Sequence, residues 1–300
     1  MGTPRTENLE AGKAVLDSSA LVRVLGFPAT LVHGDPLVLD RWRWLRERLP
    51  LTANGDTLLD VGCGTGAFTI GAARRGYRAT GISWDERNQQ VADARARMCG
   101  AATASFVTGD VRQLDSLDGL DAQYDVAICL ECVEHVLDDR KLLRDITARL
   151  KPGGRLLLTT PNFYYVPISA GDRGPFLTEE TGWHVRRGYT RSMLTELCEL
   201  SGLRGAEITY CGGYLSQKAT KLWRAAHTVT ENTVIHWVIT APARLAAAAL
   251  PDRKVTALLG WPFFSICLEA HKPRFDAATR ASEERASRPL GVIHRAGTRT

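Results

Sequence analysis

The sequence predicts an α/β protein with a doubly wound, mostly parallel β-sheet. Short apolar runs alternate with segments of helical periodicity over residues 57–160, and this alternation is typical of parallel strands joined by crossover helices. A glycine-rich turn, residues 62–66, follows the first apolar run directly and opens a helix. The chain has 300 residues, which is enough for one large domain with insertions.

The strands are predicted from apolar runs that are too short for amphipathic helices. They cover residues 58–61, 78–82, 104–107, 124–130, 155–159, 203–210 and 263–270. The helices are predicted over residues 14–25, 36–49, 67–75, 86–98, 137–150 and 190–201, the last with Thr190 as its N-cap. Residues 216–259 predict further helices, interrupted by Pro242 and Pro251.

Four segments lie outside this alternation. Residues 1–50 form a predicted N-terminal helical extension, which either packs on the core or covers the substrate as a lid. Residues 161–187 contain proline, glycine and aromatic residues without a period, and a long loop of this kind is usually functional, so we predict a substrate loop. Residues 216–260 predict a helical insertion before the last strand, for which a substrate cap or a dimer face is preferred to a membrane-surface helix. Residues 273–300 predict a mobile basic tail.

Composition limits the class of function. The formal net charge is +5, and the tail, with six Arg against one Asp and two Glu, contributes +3 of it. The rest of the chain is nearly neutral, which argues against a broad nucleic-acid-binding face. The seven cysteines lack disulfide-scaffold spacing and the polar start lacks a signal segment, so we expect a reduced, cytoplasmic protein. No uncharged apolar run is long enough for a transmembrane segment, and a homodimer is left open.

The glycine turn predicts a nucleotide-type site. Glycine has no Cβ and tolerates positive φ, so the backbone at Gly62, Gly64 and Gly66 can approach a ligand closely. The helix that follows presents free N–H groups and the positive end of its dipole to the same place. The turn also fits the permissive dinucleotide-binding pattern, which by itself is weak.

Three stretches resemble motifs of the class I S-adenosylmethionine (SAM)-dependent methyltransferases. They are the motif I-like stretch Asp60-Val61-Gly62-Cys63-Gly64-Thr65-Gly66, the motif II-like residues 124–136, and Lys151-Pro152-Gly153-Gly154-Arg155-Leu156. The resemblance implies a methyltransferase domain over residues 51–272 and a Rossmann-like sheet of seven strands with the last antiparallel. It also implies SAM as the cofactor.

Further residues are most similar to one branch of that superfamily. They are Glu131-x-x-Glu134-His135, Thr160-Pro161-Asn162 and the later His184. The branch contains the ubiquinone-pathway O-methyltransferases and the small-RNA 2′-O-methyltransferases.

The resemblance also implies which residues bind the cofactor, at the ends of the first four strands. They are Asp60, Gly62, Cys63, Gly64, Gly66, Ser83, Trp84, Asp85, Asp110, Val111 and Glu131. In this set Asp110 would accept from the adenine amine, with Trp84 near the adenine. The family usually has an acid at the end of the second strand for the ribose hydroxyls. Here Ser83 stands in its place, so either Ser83 or Asp85 makes that contact, and the missing acid disfavours a nicotinamide oxidoreductase.

Two histidines are the candidate catalytic residues. Methyl transfer from a sulfonium is an in-line displacement, so the protein mainly aligns the reactants. An oxygen or nitrogen nucleophile must also lose a proton, which a histidine can accept near neutral pH. His135 follows the fourth strand at the edge where such sheets bind ligands, and His184 lies in the substrate loop. The structural alternative is that His135 caps the next helix or bonds to Asp138, and that His184 positions the loop.

The same region also contains an alternative metal site. Glu131, Glu134, His135 and His184 together offer two carboxylates and two imidazoles to a divalent ion. Such an ion would bind adjacent oxygens of the substrate and lower a hydroxyl pKa. We prefer a metal-free base, because one base is sufficient for this chemistry.

The sequence therefore predicts a SAM-dependent methyltransferase that acts on a small molecule, at a hydroxyl oxygen of a phenol or diol. N- or C-methylation and a non-catalytic SAM-binding protein are the alternatives. An RNA substrate is disfavoured, because the chain without its tail is nearly neutral and no RNA-binding module is evident.

Overall fold

The computed structural model describes residues 20–32, 34–229 and 233–274. Residues 14–19 of the first predicted helix lie outside the described residues, as does nearly all of the predicted tail, whereas residues 20–25 are helical. In the part of the chain that is described, no helix combines the length and the apolar character needed to cross a membrane.

Within these residues, seven strands form one sheet. The strands are β1 Thr57–Val61, β2 Arg78–Ser83, β3 Ala104–Thr108, β4 Tyr124–Leu130, β5 Leu150–Pro161, β6 Arg204–Cys211 and β7 Ser265–His271. Their order across the sheet is β3-β2-β1-β4-β5-β7-β6. Strands β1 to β5 pair in parallel, whereas β7 is antiparallel to both β5 and β6. The predicted seven-stranded fold with an antiparallel last strand is confirmed.

Helices connect and flank these strands. After residues 20–25, the described helices are α1 Phe27–Val32, α2 Leu37–Arg48, α3 Ala67–Ala73, α4 Glu86–Met98, α5 Asp139–Arg149, α6 Arg191–Leu200, α7 Tyr214–Val229, α8 Thr233–Ala249 and α9 Asp252–Leu258. The hydroxyl of Thr190 accepts a hydrogen bond from the Met193 N–H, so Thr190 is the N-cap of α6, as predicted.

The core occupies both faces of the sheet. Leu58 and Leu59 are neighbours on β1, so their side chains point to opposite faces, and they belong to two different clusters of buried side chains. One cluster contains side chains of α5 and α6. The other contains side chains of α2, α3 and α4. Helices therefore cover both faces, which is the doubly wound arrangement.

The order of the strands positions the functional site. Strand β1 pairs with β2 on one side and with β4 on the other. Ligands of open α/β sheets bind where the strand order reverses in this way, outside the carboxyl ends of the strands. The glycine turn follows the carboxyl end of β1, and residues 131–135 follow that of β4.

Strand β5 is longer than predicted, because it begins at Leu150 instead of Arg155. The prediction that residues 151–154 form a turn after the preceding helix was therefore wrong, although that helix does end at Arg149. The backbone of Gly153 and Gly154 hydrogen-bonds to Lys272, just beyond β7. Pairing with a distant part of the chain thus overrides the local turn tendency.

Pro242 does not interrupt a helix, which corrects the prediction, since it lies within α8. A proline leaves the carbonyl four residues earlier without its helical donor. That carbonyl belongs to Val238, which is 70% exposed, so water can replace the donor. Pro251, in contrast, precedes α9, as predicted.

The helical insertion forms α7, α8 and α9. Helix α8 packs against α7, and the Arg244 guanidinium on α8 donates to the carbonyls of Val32 and Gly34 near α1. The outer side of α8 exposes an apolar stripe of Ile235, Val238, Ile239 and Leu245.

Candidate active site

Two cavities meet at the carboxyl end of β4. The candidate cofactor cavity, about 540 Å³, lies between the glycine turn, the ends of β2 and β3, and residues 180–182 of the predicted substrate loop. The candidate acceptor cavity, about 590 Å³, lies between α2, α7 and the same loop. Glu131 and His135 line both cavities. They therefore form part of the wall between the two.

The predicted substrate loop supplies much of the acceptor cavity. Its lining residues are Ser169, Gly171, Asp172, Pro175, Phe176, Leu177, Trp183 and His184. The N-terminal extension supplies Asp35 and Arg41. Among the described residues of the predicted cap, 216–260, only Arg224 lines this cavity, so most of that insertion packs elsewhere.

The predicted cofactor-binding residues fall into two groups. Those that line the candidate cofactor cavity are Gly62, Gly64, Ser83, Trp84, Asp110, Val111 and Glu131. Those that do not line it are Asp60, Cys63, Gly66 and Asp85. The second group supports the turn or the start of a helix instead of facing the cavity.

Gly62 and Gly64 both have positive φ, but their surroundings differ. A Cβ at Gly62 would lie 2.6 Å from Sγ of Cys132, so packing requires glycine there. At Gly64, φ is +52° and no atom of the described residues lies within 4 Å of the Cβ position. Gly64 also lines the cofactor cavity, so we expect a side chain at this position to reduce the space for the cofactor. The turn therefore fits a cofactor that lies against the backbone.

Asp60 and Asp85 have structural partners. The carboxyl of Asp60 accepts a hydrogen bond of 2.6 Å from the hydroxyl of Thr69 on α3. Burial raises the pKa of Asp60 to about 7, because the charged form loses its hydration. Asp85 is the N-cap of α4 and accepts from the N–H of Arg87 at 2.9 Å. Asp60 thus links the end of β1 to α3, and neither carboxyl lines the candidate cofactor cavity.

The end of β2 presents Ser83 to the cavity, together with a residue that sequence reasoning missed. Asn88 lies in the first turn of α4 and also lines the cofactor cavity. In the sequence, Asn88 is marked only as a polar residue that follows the end of β2 by about one helical turn. Ser83 and Asn88 are polar groups available there to the ribose hydroxyls.

Asp110 lines the cavity in a bidentate pair with Arg112. The Arg112 Nε lies 2.9 Å from both carboxylate oxygens, and Nη2 lies 2.5 Å from Oδ2. Hydrogen bonds from Arg112 lower the pKa of Asp110, so this carboxylate is ionised at neutral pH. An adenine amine at this position would share the carboxylate with the guanidinium.

Glu131 is held in a strained conformation by three elements. Its φ of +52° is positive, and it is the only such residue other than glycine in the described chain. Its Oε1 accepts from the hydroxyls of Thr159 on β5 and Ser265 on β7 at 3.0 and 2.9 Å, and Oε2 lies 3.0 Å from Nη2 of Arg41 on α2. A strained residue that the surroundings fix this strongly is typical of a functional site.

The structure brings Glu134, His135 and His184 together and leaves Glu131 outside this cluster. One ligand atom from each of the three lies within 4.8 Å of the others. The two imidazole rings are 4.7 Å apart between centroids. Oε1 of Glu134 and Nδ1 of His135 are buried and have no hydrogen-bond partner within the described residues. Asp138 caps α5 by accepting from the Lys141 N–H, and among the described residues it makes no hydrogen bond with His135, which was the structural alternative for that histidine.

Both imidazoles are neutral at physiological pH. Burial lowers the pKa of His135, and burial together with the neighbouring His135 lowers the pKa of His184 to about 4. Burial, reinforced by the Glu131 carboxylate, raises the pKa of Glu134 well above its usual range. Neutral imidazoles can accept a proton or bind a metal ion.

Comparison with known proteins identifies the family. A methyltransferase domain family matches residues 38–208. The ubiquinone biosynthesis O-methyltransferase of Pseudomonas paraeruginosa (strain DSM 24068 / PA7) is 31% identical over 202 residues, which are 65% of this chain and 82% of that protein. The corresponding enzyme of Marinobacter nauticus is 30% identical with the same coverage. The chain belongs to the methyltransferase domain family, and it is a SAM-dependent methyltransferase of small molecules.

Solved structures are similar at the level of the fold. The [4+2]-cyclase SpnF has a TM-score of 0.52 at 24% identity, over 79% of this chain and 82% of that one. The phosphoethanolamine N-methyltransferase 2 of Haemonchus contortus has a TM-score of 0.54 at 16% identity, over 86% and 59%. Because a cyclase shares this fold, the reaction must be argued from the site.

Proposed function

We propose that this methyltransferase transfers the methyl group to a hydroxyl oxygen of a phenol or diol, with His135 as the base. The observation that supports this proposal is that His135 lines both cavities. Its neutral imidazole therefore lies where an acceptor and a methyl donor would meet. The O-methyltransferase relatives also favour an oxygen acceptor.

Each part of the site has a role in this proposal. Gly64, Ser83, Asn88 and Asp110 would hold SAM, which supplies a methyl group already activated by its sulfonium. The neutral imidazole of His135, which lines the acceptor cavity, accepts the proton of the acceptor hydroxyl as the oxygen becomes nucleophilic. The donors around Glu131 fix the wall between the cavities, and a fixed wall keeps acceptor and donor aligned.

The proposal predicts a pH dependence. Only the neutral imidazole accepts a proton, and burial lowers the pKa of His135. We therefore expect kcat/KM to be constant at neutral pH and to fall only when the pH drops below the ordinary histidine range. A pH–rate profile of kcat/KM measures this, and His135→Gln should lose that limb.

A divalent cation is a second candidate for the same site. The orphaned buried atoms of Glu134 and His135, with His184 beside them, fit an ion that takes one atom from each. Such an ion would lower the pKa of an acceptor hydroxyl. Glu131, the fourth predicted ligand, is already bound by Arg41, Thr159 and Ser265. Since the ion would use atoms of His135, it is an alternative to the base.

Acceptor screening with a catechol, a phenol and a primary amine tests the proposal through formation of S-adenosylhomocysteine (SAH). We expect methylation of the catechol oxygen, and His135→Gln should lower kcat by about 10²–10⁴ while SAH affinity is retained. EDTA should have no effect. His271→Gln, at an exposed histidine on the end of β7, is the matched control.

Two results would change this assignment. Activity lost to EDTA and restored by Mg²⁺ or Mn²⁺, with calorimetric Mn²⁺ binding that Glu134→Gln abolishes, would replace the base with the ion. Methylation only of the amine or of carbon, or full activity in His135→Gln, would overturn the proposed O-methylation by His135.

A further inference from the structure

Residues 177–184, called the strap below, connect the two cavities. The Leu177 N–H donates to the His184 carbonyl at 3.2 Å, so the two ends of the strap lie together. At these ends, Leu177 and His184 line the acceptor cavity. At the tip, residues 180–182 line the cofactor cavity. One short segment therefore covers the cofactor and also carries a candidate catalytic histidine.

The carboxylate of Glu180 attaches the tip of the strap to both sides of the cofactor cavity. Its Oε1 accepts from the backbone N–H of Leu137, beyond β4, at 2.5 Å. Its Oε2 accepts from Nη1 of Arg112, beyond β3, at 2.6 Å. Hydrogen bonds between charged groups, or from N–H groups to a carboxylate, are stronger than neutral ones. The other guanidinium nitrogens of Arg112 hold Asp110, so the attachment reaches the predicted adenine acceptor.

The end of the strap nearest the acceptor cavity is fixed independently of Glu180. The Val185 N–H donates to the Glu134 carbonyl at 3.0 Å. The Arg186 guanidinium binds the Asp139 carboxylate and the carbonyls of Val136 and Leu137. Removing the Glu180 carboxylate should therefore free the tip while residues 185–186 stay in place.

Binding of SAM in the cofactor cavity should depend on the strap, because the usual ribose-binding acid is missing at the end of β2. The end of β2 presents Ser83 where the family usually has an acid, and Asp85 is occupied as the cap of α4. A hydroxyl holds ribose more weakly than a carboxylate does, because bonds to a charged acceptor are stronger. Residues 180–182 of the strap line the same cavity as Ser83.

We propose that Glu180 is a positioning residue that holds the tip of the strap closed over SAM. The inference rests on the proposed assignment of the cofactor cavity. It predicts that cofactor release is limited by detachment of Glu180 from Arg112 and Leu137.

The dissociation rate of radiolabelled SAH, measured after addition of excess unlabelled SAM, tests this inference in the full chain. Glu180→Gln should release SAH about three- to tenfold faster, because it loses the ion pair but keeps an oxygen for Leu137. Glu180→Ala, which loses both contacts, should release it faster still. Glu179→Gln is the matched control, since Glu179 is exposed and neighbours Glu180.

Salt provides an independent measurement. Arg112 is 47% exposed on its side chain, so added salt should screen its attraction to Glu180. SAH release from the native protein should therefore accelerate with ionic strength, and release from Glu180→Gln should change much less. A stability defect alone would not produce this difference in salt dependence.

The outcomes separate the inference from the assignment on which it rests. A native protein that does not bind SAH would overturn the assignment of the cavity. SAH binding with equal release rates in Glu180→Gln and Glu179→Gln would overturn the inference alone. Faster release in Glu180→Gln, with an unfolding midpoint equal to that of Glu179→Gln and a raised KM for SAM, is the expected result.

Discussion

Gly64 shows how a single residue can separate ligand binding from folding. Gly64 lines the cofactor cavity and has open space at its Cβ position, whereas a Cβ at Gly62 would clash with Cys132. We expect Gly64→Val to abolish SAH binding, because the new side chain would occupy the cavity. Because valine disfavours the positive φ of this position, the variant should also be less stable by about 1–3 kcal/mol.

A matched control removes the effect of strain. Gly55 has a φ of +68° and equally open surroundings, and it does not line either cavity. Gly55→Val should lose similar stability by urea unfolding but keep full SAH affinity by calorimetry. Equal SAH affinity in the two variants would contradict the role of Gly64.

Asp60 predicts a measurable link between pH and stability. Its pKa is about 7 in the folded protein, against about 4 when unfolded. Its contribution is therefore fully present below about pH 4 and is lost as the pH rises through about 7, by roughly 4 kcal/mol in total. Asp60→Asn should lack this loss, so its stability relative to the native protein should increase from pH 4 to pH 8. A difference in unfolding free energy that stays constant over this range would contradict the buried, protonated carboxyl.

At the residue scale, motifs predicted some of the site and could not predict the rest. The resemblance pointed to both His135 and His184 as candidate site residues, and the structure places their imidazole rings next to each other. Arg41, Asn88 and Glu180 carry no such signal, because their contacts depend on how distant elements pack. Glu131 illustrates the limit, since its place among metal ligands fitted the motif but its partners in the fold are Arg41 and two hydroxyls.

Helix α4 separates a capping role from a binding role. Asp85 caps its first turn, whereas Asn88, three residues later, lines the cofactor cavity. Asp85→Ala should lower the free energy of unfolding by about 1 kcal/mol with little change in SAH affinity. Asn88→Ala should weaken SAH binding and leave the free energy of unfolding nearly unchanged. Urea unfolding and calorimetry compare the two variants. A larger loss of affinity in Asp85→Ala than in Asn88→Ala would assign the ribose contact to Asp85.

At the scale of elements, the bounds of helices and strands with a clear hydrophobic period were predictable. Bounds that depend on pairing with a distant strand were not. Helix α4 and strand β4 have the bounds that local pattern indicates. Strand β5 includes Pro152 because the next two residues, Gly153 and Gly154, hydrogen-bond to the backbone of Lys272, which is far away in sequence. Helix α8 continues through Pro242 because the freed carbonyl can meet water.

At the scale of the whole molecule, Glu131 connects distant parts of the chain: it binds Arg41 of α2, Thr159 of β5 and Ser265 of β7. Arg41→Met should lower the free energy of unfolding by about 3 kcal/mol, because it leaves a nearly buried carboxylate without its cation. Glu131→Gln in the same chain should recover part of that loss. Urea unfolding of the native protein, both single variants and the double variant gives the coupling energy. Strict additivity of the two single effects would show that Arg41 and Glu131 are energetically independent.

The position of β7 has a consequence for synthesis of the chain. Among the strands of the described residues, β7 is the last to be made, yet it lies between β5 and β6 instead of at an edge. While β7 is still inside the ribosome, β6 has no strand partner, and Glu131 has Arg41 and Thr159 but lacks the hydroxyl of Ser265. A nascent chain that already contains the glycine turn and both histidines therefore exposes unpaired strand edges, which are prone to aggregation. Productive folding of this half of the sheet, and with it the wall of the active site, must wait until residues 265–271 have left the ribosome.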